Sequence, residues 1–108
     1  MFPCRPTVLC VENRRGLLDE ISHLLADAGY DVVGTTSSEW ALQMVHSRPV
    51  DGILIDLFLR EPTAAGLRDQ IRQSLPDVPI LLFHGEGTLL TLQLQVLEAW
   101  MTRAQREA

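Results

Sequence analysis

The chain contains no lysine: its nine strongly basic residues are all arginine, set against fourteen acids. Any charged site on this chain must therefore work without a lysine ammonium group, with guanidinium as the strong side-chain cation. The net charge of −5 and the pI near 5.0 exclude a broad surface for nucleic acid or anionic membrane. Cysteine is scarce too, limited to Cys4 and Cys10. Cys10 lies inside an apolar strand pattern, so a buried thiol is expected there and not a disulfide. No apolar run is long enough to cross a bilayer. The opening Met1-Phe2-Pro3-Cys4-Arg5-Pro6 also lacks the apolar core of a secretory signal, so a cytoplasmic location is expected. No glycine-rich stretch cradles a phosphate, and no nucleophile–base pair stands at a recognisable spacing. A small enzyme has little support, and the expectation is a protein that is not one.

What is present is a folded domain. The 108 residues, 46% of them hydrophobic, form one unit large enough for a core. Segments alternate strand and helix, the pattern of a parallel sheet covered on both faces. The spacing predicts a first strand over Thr7 to Val11 and a helix from about Arg14 to Ala28. That helix carries Leu17, Ile21, Leu24, Leu25 and Ala28 on one stripe, and Gly29 closes it. Asp31 to Thr35 reads as a short, more polar strand at an edge. Ser37 or Ser38 caps a second helix that faces the core through Ala41, Leu42 and Val45 and stops at Pro49. A third strand spans Gly52 to Leu57, and a third helix spans roughly Ala64 to Ser74 with Leu67 and Ile71 inward. The fourth strand, Ile80 to Phe83, is an uninterrupted apolar run expected at the centre of the sheet.

After Gly85-Glu86-Gly87 the pattern changes. From Thr88, a candidate N-cap, to about Glu107 there is no proline or glycine, and the segment reads as one long helix. Leu90, Leu94, Leu97 and Met101 recur at heptad-like spacing, and Leu89, Val96 and Trp100 widen the apolar face. The domain is thus expected as an α/β core over 1–87 plus a terminal helix over 88–107. Leaving Leu90, Leu94, Leu97, Trp100 and Met101 in water would make a large apolar patch. Part of that face is expected to cover the sheet edge. The rest is expected to pack on the same helix of a second copy in a two-fold homodimer, with exchange of the last helices through the short 85–87 hinge also open. A fold-back entirely within one chain is the alternative.

Chemistry concentrates at strand ends. Asp56 ends the run Gly52-Ile53-Leu54-Ile55, at the rim where parallel sheets hold their reactive groups. The first strand runs straight into Glu12-Asn13. A carboxylate and an amide facing a second carboxylate form an oxygen-rich pocket suited to Mg²⁺, and such a site can carry a phosphoryl group on Asp56. The alternatives are plainer: Asp56 closes a loop, Glu12 is solvated, and Asn13 is the N-cap of the first helix. His23 and His46 fall on helix surfaces with no partners at metal-binding spacing.

The order of these pieces resembles a response-regulator receiver domain of bacterial two-component signalling. The resemblance runs from Val8 to Gly85 without gaps. It rests on Val8-Leu9-Cys10-Val11-Glu12-Asn13 and on Leu24-Leu25-Ala26-Asp27-Ala28-Gly29-Tyr30. Further support comes from Ser38-Glu39-Trp40-Ala41-Leu42, from Arg48-Pro49-Val50-Asp51-Gly52-Ile53-Leu54-Ile55-Asp56-Leu57, and from Leu75-Pro76-Asp77-Val78-Pro79-Ile80-Leu81-Leu82-Phe83. It implies a flavodoxin-like three-layer fold of about four parallel strands, with the usual fifth strand and its helix missing. It also implies a phosphoacceptor at Asp56, fed by a sensor histidine kinase or phosphotransfer protein. Mg²⁺ would be held by Glu12, Asn13, Asp56 and the backbone carbonyl of Phe58, and the signal would leave through contact with a downstream protein.

The departures are equally specific. Asn13 stands where the family has a second acid, so weak or absent Mg²⁺ binding is expected. Arg60 and Ala64 replace a proline and a glycine that follow the acceptor. His84 replaces the hydroxyl residue that signals phosphorylation, and the lysine ending strand five is absent. Arg106 falls near that lysine's position, but in a helical stretch. The rival expectation is a phosphorylation-independent pseudo-receiver acting as a dimerisation or interaction module.

Overall fold

The computed structural model describes residues 5–84 and 89–107. Strands and helices alternate as β1 (Thr7–Val11), α1 (Arg15–Asp27), β2 (Asp31–Thr35), α2 (Ser38–Ser47), β3 (Gly52–Asp56), α3 (Ala64–Ser74), β4 (Ile80–Phe83) and α4 (Leu89–Glu107). The strands are parallel and lie in the order β2-β1-β3-β4. Among the described residues no strand lies beyond β4, so the fold is the expected flavodoxin-like sheet of four. Thr88 and the Gly85-Glu86-Gly87 hinge lie outside the described residues.

The apolar strands hide a period of two. In β1, Val8 and Cys10 face one layer while Leu9 and Val11 face the other. The first layer holds α1 and α4, packed through Leu18, Ile21, Leu25, Leu90, Leu97 and Met101 against Leu54 and Phe83. The second holds α2 and α3, packed through Ala41, Val45, Leu67 and Ile71 against Ile53 and Ile55. Both faces of β1 and β3 are therefore dry, which is why their sequences read as continuous apolar runs. Each fully buried Leu or Ile contributes roughly 1.5–3 kcal/mol relative to exposure.

Turns follow local chemistry. Gly29 takes a φ of +102°, a conformation open to glycine without strain, and ends α1. Ser37 accepts the Trp40 N–H and caps α2, while Thr63 accepts the Gly66 N–H and caps α3. The Arg72 guanidinium donates to the carbonyls of Leu75, Pro76 and Val78, fixing the turn into β4.

Several expectations change. The inward stripe of α1 is Leu18, Ile21 and Leu25; Leu24 is 40% exposed and Ala28 is exposed, because the sheet accepts a narrower arc than the apolar residues span. β3 ends at Asp56, one residue earlier than read from the sequence. β4 is an edge strand and not the central one its apolar run suggested: α4 packs against it and helps to bury it. The terminal helix also spends most of its stripe at home. Leu90, Leu97 and Met101 are buried in the chain's own core and Leu94 packs partly against it, so of the five residues assigned to a second copy Trp100 is the exposed one, at 41%. Gly52 records how closely α4 approaches: a Cβ there would lie 2.6 Å from the Met101 sulfur.

Candidate functional site

The parallel register brings the C-terminal ends of β1, β3 and β4 to one rim. Val11 pairs with Ile55, and Asp56 pairs with Phe83. The next residues, Glu12, Leu57 and His84, therefore emerge side by side. Asp56 is 1% exposed and Glu12 is fully buried, the two buried charged residues among those described. Glu12 is therefore not the solvated carboxylate that one reading allowed. Burial, and then the Glu12 and Asp56 carboxylates, push the Cys10 thiol far above its usual range and keep it protonated.

Each carboxylate is held by its own chain. Asp56 Oδ1 accepts the Phe58 N–H at 3.1 Å, and its main-chain carbonyl accepts the Leu59 N–H, so the loop after β3 folds over the aspartate. The Leu57 N–H donates to the Phe83 carbonyl at 2.8 Å and ties that loop to β4. Glu12 Oε1 accepts two bonds from Arg14, from its main-chain N–H at 3.0 Å and its Nε at 3.1 Å. Glu12 Oε2 is buried and has no hydrogen-bond partner among the described residues.

Asn13 does not cap α1. The N-cap is Arg14, whose side chain makes no capping bond, and Asn13 is exposed along a cleft of about 450 Å³ that Ser37, Leu59, Arg60 and Pro62 also line. The carboxylates of Glu12 and Asp56 end neighbouring strands at this corner, and Asn13 and Phe58 follow them in the chain. Their oxygens are hard ligands, and the unpartnered Glu12 Oε2 fits a small cation of the Mg²⁺ type. No group of three or more His, Cys, Asp or Glu residues gathers for a metal among the described residues, so two carboxylates are the whole acidic contribution there.

His84 forms the other half of the rim. Its main-chain N–H donates to Gln93 Oε1 at 2.8 Å, and its carbonyl accepts from Gln93 Nε2 at 2.7 Å. A side-chain amide on α4 thus makes the paired bonds that a neighbouring strand would otherwise supply. The imidazole stands edge-on to the Phe58 ring, centroids 5.0 Å apart at 88°, with a buried Nδ1 that has no hydrogen-bond partner among the described residues. Gln93 escaped sequence reading because a glutamine between helical leucines carries no local signal. Arg14 escaped because its position two residues past Glu12 looked like the ordinary start of a helix. His23 and His46 are exposed, bonded to helix carbonyls of Asp19 and Leu42, with His46 Nε2 also beside Ser74 Oγ. The Arg106 side chain lies outside the described residues, and no helix of the described residues is long and apolar enough to cross a membrane.

Comparison with known proteins identifies the family. Residues 8–103 match the family model of the response regulator receiver domain. An NtrX-like response regulator of Rickettsia bellii is 27% identical over 86 residues, 78% of this chain but 18% of that protein. The chain thus spans about a fifth of the length of the curated relatives it matches. Among solved structures, a CheY-like receiver domain from Methanospirillum hungatei superposes with a TM-score of 0.83 at 14% identity, covering 96% of this chain and 99% of that one. The response regulator TrrA of Thermotoga maritima, solved in complex with Mg²⁺ and BeF, has a TM-score of 0.69 at 18% identity, covering 82% and 80% of the two chains. These likenesses carry the fold. With the match to the family model over most of the chain, they establish that the protein belongs to the response-regulator receiver domain family of two-component signalling.

Proposed function

We propose that this receiver domain accepts a phosphoryl group on Asp56 from the phosphohistidine of a sensor histidine kinase or phosphotransfer protein, and signals through protein–protein contact. A buried carboxylate at the end of the central strand β3, beside a second buried carboxylate at the end of β1, carries the reading. An Asp56 oxygen attacks phosphorus, the P–N bond of the donor breaks, and the imidazole leaves with the electron pair as the acyl phosphate forms. The Phe58 N–H orients the attacking carboxylate through Oδ1. Glu12, Asp56, the Phe58 carbonyl and Asn13 would hold Mg²⁺. When bound, that ion offsets the charge repulsion between phosphoryl group and carboxylates. Asn13 removes one negative charge from the set and Arg14 already engages Glu12, so the metal affinity is weak.

A second reading draws on the other half of the rim. His84 stands edge-on to Phe58 and is fastened to Gln93, where the family places a small hydroxyl side chain, and the sequence contains no lysine. That arrangement favours a phosphorylation-independent interaction module. Homodimerisation remains part of either reading, and Leu92, Val96 and Trp100, exposed at successive turns of α4, replace the buried stripe as its surface. A monomer by light scattering removes the dimer. Intact-mass spectrometry after incubation with Mg²⁺ and a small acyl phosphate decides between the readings: an adduct on the wild type and none on Asp56→Ala supports the acceptor. No adduct under conditions that label an ordinary receiver leaves the interaction module.

A further inference from the structure

We propose that Arg14 is a built-in counter-ion that competes with a divalent cation for Glu12 and sets the metal affinity of the site. The inference rests on reading Glu12 and Asp56 as the acceptor corner and concerns how that corner is regulated. A fully buried carboxylate is costly unless it is paired and hydrogen-bonded. Here one oxygen, Oε1, accepts two bonds from Arg14, while Oε2 takes none among the described residues. Half of the burial cost is thus met within the chain, and the remaining lone pairs await a cation.

The position of Arg14 makes its side chain removable. Its backbone is extended at the N-cap of α1, with φ −96° and ψ 107°, and its main-chain N–H binds Oε1 independently of the guanidinium. The side chain is 46% exposed, so the cation reaches the buried carboxylate from the solvent rim. A divalent ion on the same carboxylate sets like charges side by side, and the guanidinium has to withdraw before the ion can bind fully. The site therefore rests as an internal ion pair and takes up metal by exchange.

Calorimetric titration of the folded chain with MgCl₂ tests this. Arg14→Ala tightens Mg²⁺ binding by about tenfold, the worth of one charge-assisted hydrogen bond. Arg14→Lys restores much of the weak wild-type affinity, because it returns the charge. Adding Glu12→Gln to Arg14→Ala removes the gain. Circular dichroism shows each variant folded before titration. Unchanged or weaker Mg²⁺ binding by Arg14→Ala overturns the proposal, and so does a gain that survives Glu12→Gln. Mass spectrometry of Asp56 keeps the acceptor reading separate. An adduct with no Arg14 effect leaves the acceptor standing without the counter-ion, whereas tighter metal binding without an adduct does the reverse.

Discussion

The two halves of the functional rim are built by different means. The acceptor half uses side chains at the ends of β1 and β3, strands with neighbours on both edges and helices on both faces. Its carboxylates are positioned by bonds within two residues, Phe58 to Asp56 and Arg14 to Glu12. The switch half sits at the end of an edge strand and owes its geometry to α4, nine residues away in sequence through Gln93. Local bonds hold the first half wherever the sheet forms. The second half is as stable as the docking of one helix. The carboxylates at the ends of β1 and β3 can therefore keep their geometry when the docking of α4 changes.

The sharpest way to break this contrast is to loosen α4. Leu97 is 1% exposed and sits in the core shared by α1, α4 and the sheet. Leu97→Ala is expected to cost about 2–5 kcal/mol in urea denaturation. Amides of β4 and His84 should lose hydrogen-exchange protection before those of β1 and β3. Equal loss across all four strands would show that the two halves are one cooperative unit.

A smaller effect comes from Gln93→Ala. It removes both bonds to His84 and leaves the main-chain groups of an edge strand unpaired, at about 1–3 kcal/mol. The expected spectral signature is movement of the His84 and Phe58 ring resonances with those of Cys10 and Ile55 unchanged. Resonance shifts spread across the acceptor half would mean that the halves communicate in the resting state.

The smallest effect is a pH dependence where Tyr30 meets the middle of α4. Burial, and then the Glu98 carboxylate to which the phenol donates, push the Tyr30 pKa from 10.0 up to about 12. The folded pKa lies above the unfolded one, so the protonated phenol adds stability that is full below pH 10.0 and is lost as pH climbs toward about 12. Tyr30→Phe should flatten the stability curve in that window. An identical slope in the two proteins would show that Tyr30 does not help to fasten α4.

Much of this was legible in the sequence. Asp56 was readable because an apolar strand ending in an acid has few meanings, and Glu12 because it ends another such strand. The limits of β1, α3 and β4 followed from apolar runs and their breakers. The face of α1 was misjudged since Leu17, Leu24 and Leu25 are equally apolar to a periodicity, and the sheet alone chooses among them. β4 was misplaced for a related reason: an apolar run reports burial, and a helix buries a strand as well as another strand does. Leu90, Leu97 and Met101, three of the five residues offered to a second copy, were misjudged by the same confusion, since burial within one chain and between two leaves one pattern in the sequence.

The sequence by itself determined the alternation of strands and helices, a serine cap at 37 or 38, the closing Gly29, and the acid at the end of β3, because these depend on neighbours a few residues away. Only the tertiary structure decided that Arg14 pairs with a buried Glu12, that Gln93 completes the edge of β4, and that Leu90, Leu97 and Met101 face inward. Those outcomes depend on where a side chain lies relative to a sheet it has yet to meet. Burial turns an ordinary carboxylate or amide into one that must find a partner, and the sequence does not show which groups will be buried together.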